Sequence, residues 1–161
     1  MTDTRPDDIA DTDVYITRAF DAPRPVVWRF FIEPEHLAVW FAPNGITTPA
    51  GSIAIDPRVG GRWELIMVDD TSGDQFPMRG TIVELVEPEL LVLRLDASTG
   101  GSPEAMMLRI QFHDHGERTR ITLHQGPFTP DRRHDTETGW LESFVKLDRR
   151  LSADRSSTKE N

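Results

Sequence analysis

The chain has 161 residues, 27 of them acidic and 18 basic, with a net charge of −9 and no cysteine. That length suits one domain with a substantial core, burying roughly 70% of the surface an unfolded chain exposes. The negative balance disfavours nucleic acid and anionic membrane as partners, because both repel such a surface at long range. The missing cysteines exclude disulfides, thiolate nucleophiles and cysteine-based zinc sites together.

Asp3, Asp7, Asp8 and Asp11 crowd an N-terminal segment with little to bury, so disorder is expected over 1–12 and again over 153–161, leaving one domain over 13–152. Residues Met1–Asp13 have neither the basic nor the apolar region of a secretory signal. The longest near-apolar run, Val26–Ile32, is interrupted by Arg29 and is too short to cross a bilayer. A cytoplasmic protein is the expectation. Arg outnumbers Lys sixteen to two, but the arginines are dispersed and form no basic run.

A first strand is predicted over Val14–Phe20, with Val14, Ile16 and Phe20 on one face. Pro23 and Pro25 open a short helix that buries Val27, Phe30 and Phe31. Glu33-Pro34-Glu35 then restarts a second one with Leu37 and Trp40 inward. A meander of strands follows, punctuated by turn residues. A strand around Ser52–Asp56 ends at Pro57–Gly61, and the next sets Trp63, Leu65 and Met67 against Arg62 and Glu64. Asp69–Asp74 turns the chain into a strand over Met78–Val86, and Glu87-Pro88-Glu89 leads to Leu91, Leu93 and Leu95. After a Ser- and Gly-rich loop at Asp96–Pro103, strand Ala105–Phe112 alternates Met106, Leu108, Ile110 and Phe112 with Met107, Arg109 and Gln111. Asp114–Glu117 turns it into a last strand, Arg118–Gln125. The alternation indicates a curved antiparallel sheet of six or seven strands with one covered face.

Pro130–Leu151 closes the chain as one long amphipathic helix. Trp140, Phe144, Leu147 and Leu151 stack on one face at i, i+4, i+7 and i+11. Toward the N-terminus the same stripe becomes polar at Arg133, Thr136 and Glu137. A helix crossing a curved sheet in this way leaves a pocket between them, open at the polar end. The class is α+β.

Arg18-Ala19-Phe20-Asp21-Ala22-Pro23, Val27-Trp28, Glu33-Pro34-Glu35-His36-Leu37, Trp40-Phe41-Ala42-Pro43, Gly60-Gly61-Arg62-Trp63, Arg79-Gly80, Glu87-Pro88-Glu89-Leu90-Leu91 and Gly139-Trp140 occur in this order over residues 14–151. In this the chain resembles the bacterial single-domain homologues of the activator of the heat-shock-protein-ninety ATPase. These belong to the SRPBCC superfamily of START, polyketide-cyclase and birch-pollen-allergen-like domains. The resemblance implies a helix-grip fold with a cavity between sheet and helix, and brings no agreed catalytic residues. One departure is Ala42, where the family pattern usually has Gly.

The residues expected around that cavity are Trp40, Trp63, Leu65, Met67, Met106, Leu108, Trp140 and Phe144, with Arg133 and Glu137 at its mouth. Tryptophans and flexible methionines suit an adaptable apolar pocket. The expected partner is a small apolar or aromatic molecule, and no cofactor, metal or catalytic group is assigned. His113-Asp114-His115 has a metal-like spacing but sits beside Gly116 at a hairpin tip. His134 and Glu137, one helical turn apart, read as surface charge beside Arg132 and Arg133. No nucleophile elbow, phosphate loop or dinucleotide fingerprint occurs; Gly60-Gly61 and Gly100-Gly101 read as turns. An enzyme of cyclase or hydrolase type would have to draw on Tyr15, Arg109, His124, Arg133 or Glu137, and alternation puts Arg109 and His124 on the solvent side. The remaining alternative is a chaperone-associated or homodimerising module that uses a sheet edge or the Trp40-Phe41 loop.

Overall fold

A computed structural model describes residues 9–97 and 105–160. In chain order their elements are β1 (Val14–Phe20), α1 (Arg24–Ile32), α2 (Pro34–Leu37), β2 (Ile46–Thr47), β3 (Ala54–Ile55), β4 (Arg62–Asp69), β5 (Gln75–Val86), β6 (Leu90–Leu95), β7 (Met106–His115), β8 (Arg118–Gly126) and α3 (Pro130–Glu160). The strands form one antiparallel sheet in the order β1-β8-β7-β6-β5-β4-β2, with β3 also paired to β4. The sheet curls into a half-barrel against α3, which is the α+β helix-grip arrangement expected from the sequence. Its strand count is eight because β2, two residues long, is too short to show alternation, whereas β3 falls within the strand expected around Ser52–Asp56.

Alternation sets the inner face. Val14, Ile16 and Phe20 of β1, Trp63 and Leu65 of β4, Leu91, Leu93 and Leu95 of β6, Leu108, Ile110 and Phe112 of β7 and Ile121 and Leu123 of β8 are all buried in one cluster. In β5 the register shifts between Ile82 and Glu84, a bulge of the kind that bends a strand. The early helices break where the residue before Pro34 must be extended: Glu33, at φ −92° and ψ 124°, ends α1 and begins α2. The end of α1 leaves carbonyls without helical donors. Two of them are served by tryptophans, the Trp40 indole donating to the Phe30 carbonyl (2.9 Å) and the Trp63 indole to that of Phe31 (3.2 Å).

Helix α3 lays Trp140, Phe144, Leu147 and Leu151 onto the sheet, all buried. Phe144 meets Phe20 of β1 edge-on, with ring centroids 5.4 Å apart, and stacks on Trp40 at 6.0 Å. Arg18 pairs with Asp148 at 3.3 Å across the same seam. The helical backbone continues past Leu151 to Glu160, through the stretch read from the sequence as a disordered tail. The predicted strand at Ser52–Asp56 is replaced by a 3-10 turn at Ala50–Ser52 followed by β3. Residues 1–8 and the Gly100-Gly101 turn lie outside the described residues, as does most of the Asp96–Pro103 loop.

Candidate functional site

A cavity of about 280 Å³ lies between the N-terminal half of α3, the Phe41–Pro43 segment and the inner face of the sheet. The sheet contributes Met67 from β4, Met78 from β5, Met106 from β7 and Gln125 from β8; Phe128 follows from the connection to α3. The helix contributes Arg132, Asp135, Thr136, Gly139, Trp140 and Ser143, and the Phe41–Pro43 segment forms the remaining wall. Gly139 leaves room here by having no side chain, the nearest atoms to its would-be Cβ being those of Pro43 at 3.8 and 3.9 Å.

Several contacts hold the wall in place. The Phe41 carbonyl accepts from the buried Thr48 hydroxyl. Lys146 of α3 donates to the carbonyls of Pro43 (3.0 Å) and Ile46 (3.4 Å), and the Asn44 N–H donates to Glu142 at 3.0 Å. Burial pushes the Lys146 ammonium below its ordinary value, while the negative charges of Asp70 and Glu142 act in the opposite sense. Inside the cavity the Trp140 indole donates to Gln125 Oε1 at 2.7 Å, and Trp140 packs edge-on against Phe41, centroids 5.3 Å apart.

Of the ten residues expected at the site, Met67, Met106 and Trp140 border this space. Leu65, Leu108 and Phe144 are packed in the core cluster. Trp40 and Trp63 are nearly fully buried, and their indole N–H groups are used at the end of α1. Arg133 and Glu137 pair with each other at 3.7 Å, about one-third exposed, and neither borders the cavity. The helical lining is offset from the packed stripe by roughly a quarter-turn, running through Arg132, Thr136, Gly139 and Ser143. The cavity therefore opens along the flank of the stripe rather than at its end. Met78, Phe128 and Gln125 were not anticipated, although Ile121, Leu123 and Gln125 alternate and so share the inner face.

The other polar groups weighed in the sequence lie elsewhere. Tyr15 pairs across strands with His124, which pairs with Arg109 on its other side, and His124 Nε2 lies 2.7 Å from Asp13 Oδ2. These residues alternate with the inner-face positions and so share the outer face of the sheet. Glu33, Glu35 and His36 bring their ligating atoms within 4.8 Å of one another at the start of α2, where Glu33 already meets His36 at 2.9 Å. His134 is exposed on α3.

His113 and His115 end β7 at a hairpin whose turn is closed by the Gly116 N–H donating to Asp114 (2.9 Å). The half-buried His113 ring lies 3.1 Å from the Thr122 hydroxyl. Burial first, then Arg120, His115 and Arg24, hold this imidazole below its usual 6.5. The unfolded chain therefore takes up this proton before the folded one. The contribution is complete above about pH 6.5 and falls as pH drops through the lower folded value. His113→Gln should accordingly lose less stability than the parent between pH 7.5 and pH 5, measured as urea midpoints; an identical drop in both proteins would refute the assignment.

A curled sheet gripping one long helix, with a cavity held between them, defines a helix-grip protein. The family model described as Activator of Hsp90 ATPase homolog 1-like protein matches residues 21–152, and the chain belongs to that family. A crystal structure of a Nitrosomonas europaea protein is similar at 26% identity, with a TM-score of 0.76 over 91% of this chain and 98% of that one. A Chromobacterium violaceum protein is similar at 25% identity and a TM-score of 0.77, covering 86% and 96% of the two chains. An AHSA1 protein of Silicibacter pomeroyi shares the fold at 19% identity and a TM-score of 0.73, covering 88% and 99%. No curated protein matches the chain.

Proposed function

We propose that this protein binds a small apolar or aromatic molecule, one or two rings in size, in the cavity flanking α3, without covalent chemistry. The supporting observation is the lining: three methionines and the rings of Phe41, Phe128 and Trp140 surround about 280 Å³. Methionine and aromatic side chains adapt to flat apolar surfaces at little conformational cost. A cavity of about 150 Å³ encloses one benzene ring, so this one suits a bicyclic body. Arg132, Asp135 and Thr136 give the helical wall a polar border that keeps polar substituents in water. The reading agrees with a family that commonly binds hydrophobic ligands. Among the described residues no helix is long and apolar enough to cross a membrane.

A ligand that binds only the folded state raises the melting temperature by mass action. One- and two-ring aromatics should therefore raise it in a concentration-dependent way. The half-buried Thr136 tests the location: Thr136→Trp puts a large ring into the cavity from a position outside the packed stripe. The variant, checked for its fold by near-ultraviolet circular dichroism, should lose the ligand-induced rise. A silent panel, or an equal response from Thr136→Trp, would remove this reading.

A further inference from the structure

We infer that Gln125 selects the ligand, donating from its side-chain amide to an oxygen acceptor on an aromatic ring system, so that the cavity takes oxygenated aromatics in preference to hydrocarbons. This rests on the proposed cavity binding and makes its chemistry specific.

Gln125 is 5% exposed and stands on the inner face of β8, at the cavity wall. Its amide orientation is fixed by chemistry. The Trp140 indole nitrogen can only donate, so the atom it meets at 2.7 Å must be Oε1, which leaves Nε2 on the other side. Nε2 carries two N–H groups. One is directed at the Met106 thioether, 3.4 Å away, a weak acceptor. No stronger acceptor meets the amide among the described residues, and Met106 itself borders the cavity. A buried amide donor satisfied only by sulfur gains more from an oxygen than an exposed one does, because water does not compete for it.

Ser143 adds the complementary half. It is 5% exposed, one helical turn beyond Trp140, and borders the same space. Its hydroxyl proton is committed to the Gly139 carbonyl at 2.9 Å, so toward a ligand it acts only as an acceptor. A phenolic hydroxyl placed between them would serve both, its oxygen accepting from Gln125 and its proton going to Ser143. A hydrocarbon of the same shape would leave both groups as they are.

Naphthalene and 2-naphthol, titrated into the full chain, provide the test. Transfer out of water alone favours naphthalene, the more apolar of the two. The inference requires the reverse, 2-naphthol binding about five- to tenfold more tightly, the worth of one buried hydrogen bond. In nitrogen-15-labelled protein the Gln125 side-chain amide signals should move with 2-naphthol and stay put with naphthalene. Gln125→Met, checked for its fold by near-ultraviolet circular dichroism, should restore the preference for naphthalene. Should that variant fail to fold, the amide signals of the parent decide alone. If both probes bind with the apolar preference and the Gln125 signals are unmoved, the donor role is overturned and cavity binding stands. If neither binds, cavity binding falls and this inference with it.

Discussion

Replacing Trp40 by alanine should cost about 5 kcal/mol, the upper end for a buried aromatic. The ring is 1% exposed and is enclosed on several sides: Phe31 at 4.8 Å, Phe41 at 5.3 Å and Phe144 at 6.0 Å between centroids. The void would lie where α1, the Phe41 segment and α3 converge. It would also leave the Phe30 carbonyl at the end of α1 without its donor, a penalty of about 1–3 kcal/mol if no water reaches it. Against a domain stability of about 5–15 kcal/mol, such a loss removes between about a third and all of it. Trp140→Ala should be milder, about 3 kcal/mol, although the residue type is the same and the ring is only 6% exposed. Its void would merge with the existing cavity, and water entering there can serve Gln125 Oε1. Urea unfolding at constant slope measures both. Equal losses at the two positions would mean that the space beside Trp140 is closed to water, and would count against a ligand cavity there.

Gly61→Ala should cost about 3 kcal/mol, the upper range for overpacking. A Cβ at Gly61 would stand 2.1 Å from the Asp56 carbonyl oxygen and 3.0 Å from that of Arg58, both backbone atoms. Neither side can retreat cheaply. The Asp56 carbonyl accepts from Arg58 N (2.7 Å) and the Asp56 N–H donates to the Arg62 carbonyl (2.8 Å). On the other side, the Gly61 carbonyl accepts from Ile82 N at 2.8 Å, tying the turn to β5. Gly73→Ala provides the control. That glycine has φ +78° with nothing within 4 Å of a Cβ, so only the left-handed backbone penalty of about 1–2 kcal/mol applies. Similar losses for the two variants would show that conformation, not close approach, sets the requirement at Gly61.

Sequence periodicity located the long strands because burial on one face imposes alternation along each of them. The tryptophans show where that reasoning stops. Size and apolarity mark Trp40, Trp63 and Trp140 alike as interior residues, yet which of them borders empty space depends on where indole N–H groups find acceptors. Two go to the orphan carbonyls of α1 and one to Gln125. That is a tertiary matter with no local signature. Similarly, β5 begins at Gln75, three residues before its predicted start, because Phe76 and Pro77 interrupt a readable pattern. Pro77 is tolerated because β6 pairs only from Gly80 onward, leaving the first part of β5 with β4 as its strand neighbour among the described residues. Of the polar continuation of the α3 stripe, Arg133 and Glu137 pair with each other away from the cavity, whereas Thr136 borders it together with Gly139 and Ser143, about a quarter-turn from the packed residues. Gln125 was legible in principle, as one of two polar residues, with Thr119, on the inner face of β8; the Thr119 hydroxyl donates to the Ala22 carbonyl.

That angular offset separates two kinds of selective pressure on one helix. Phe144, Leu147 and Leu151 are answerable to the sheet, so changes there are screened by whether the chain folds, while Trp140 belongs to both the packed stripe and the cavity wall. Arg132, Asp135, Thr136, Gly139 and Ser143 face the cavity from the neighbouring flank, and on the proposed binding they would be screened by what enters it. Duplicated copies of such a domain can therefore diverge in chemical preference by exchanging flank residues in small steps, each leaving a folded and testable intermediate.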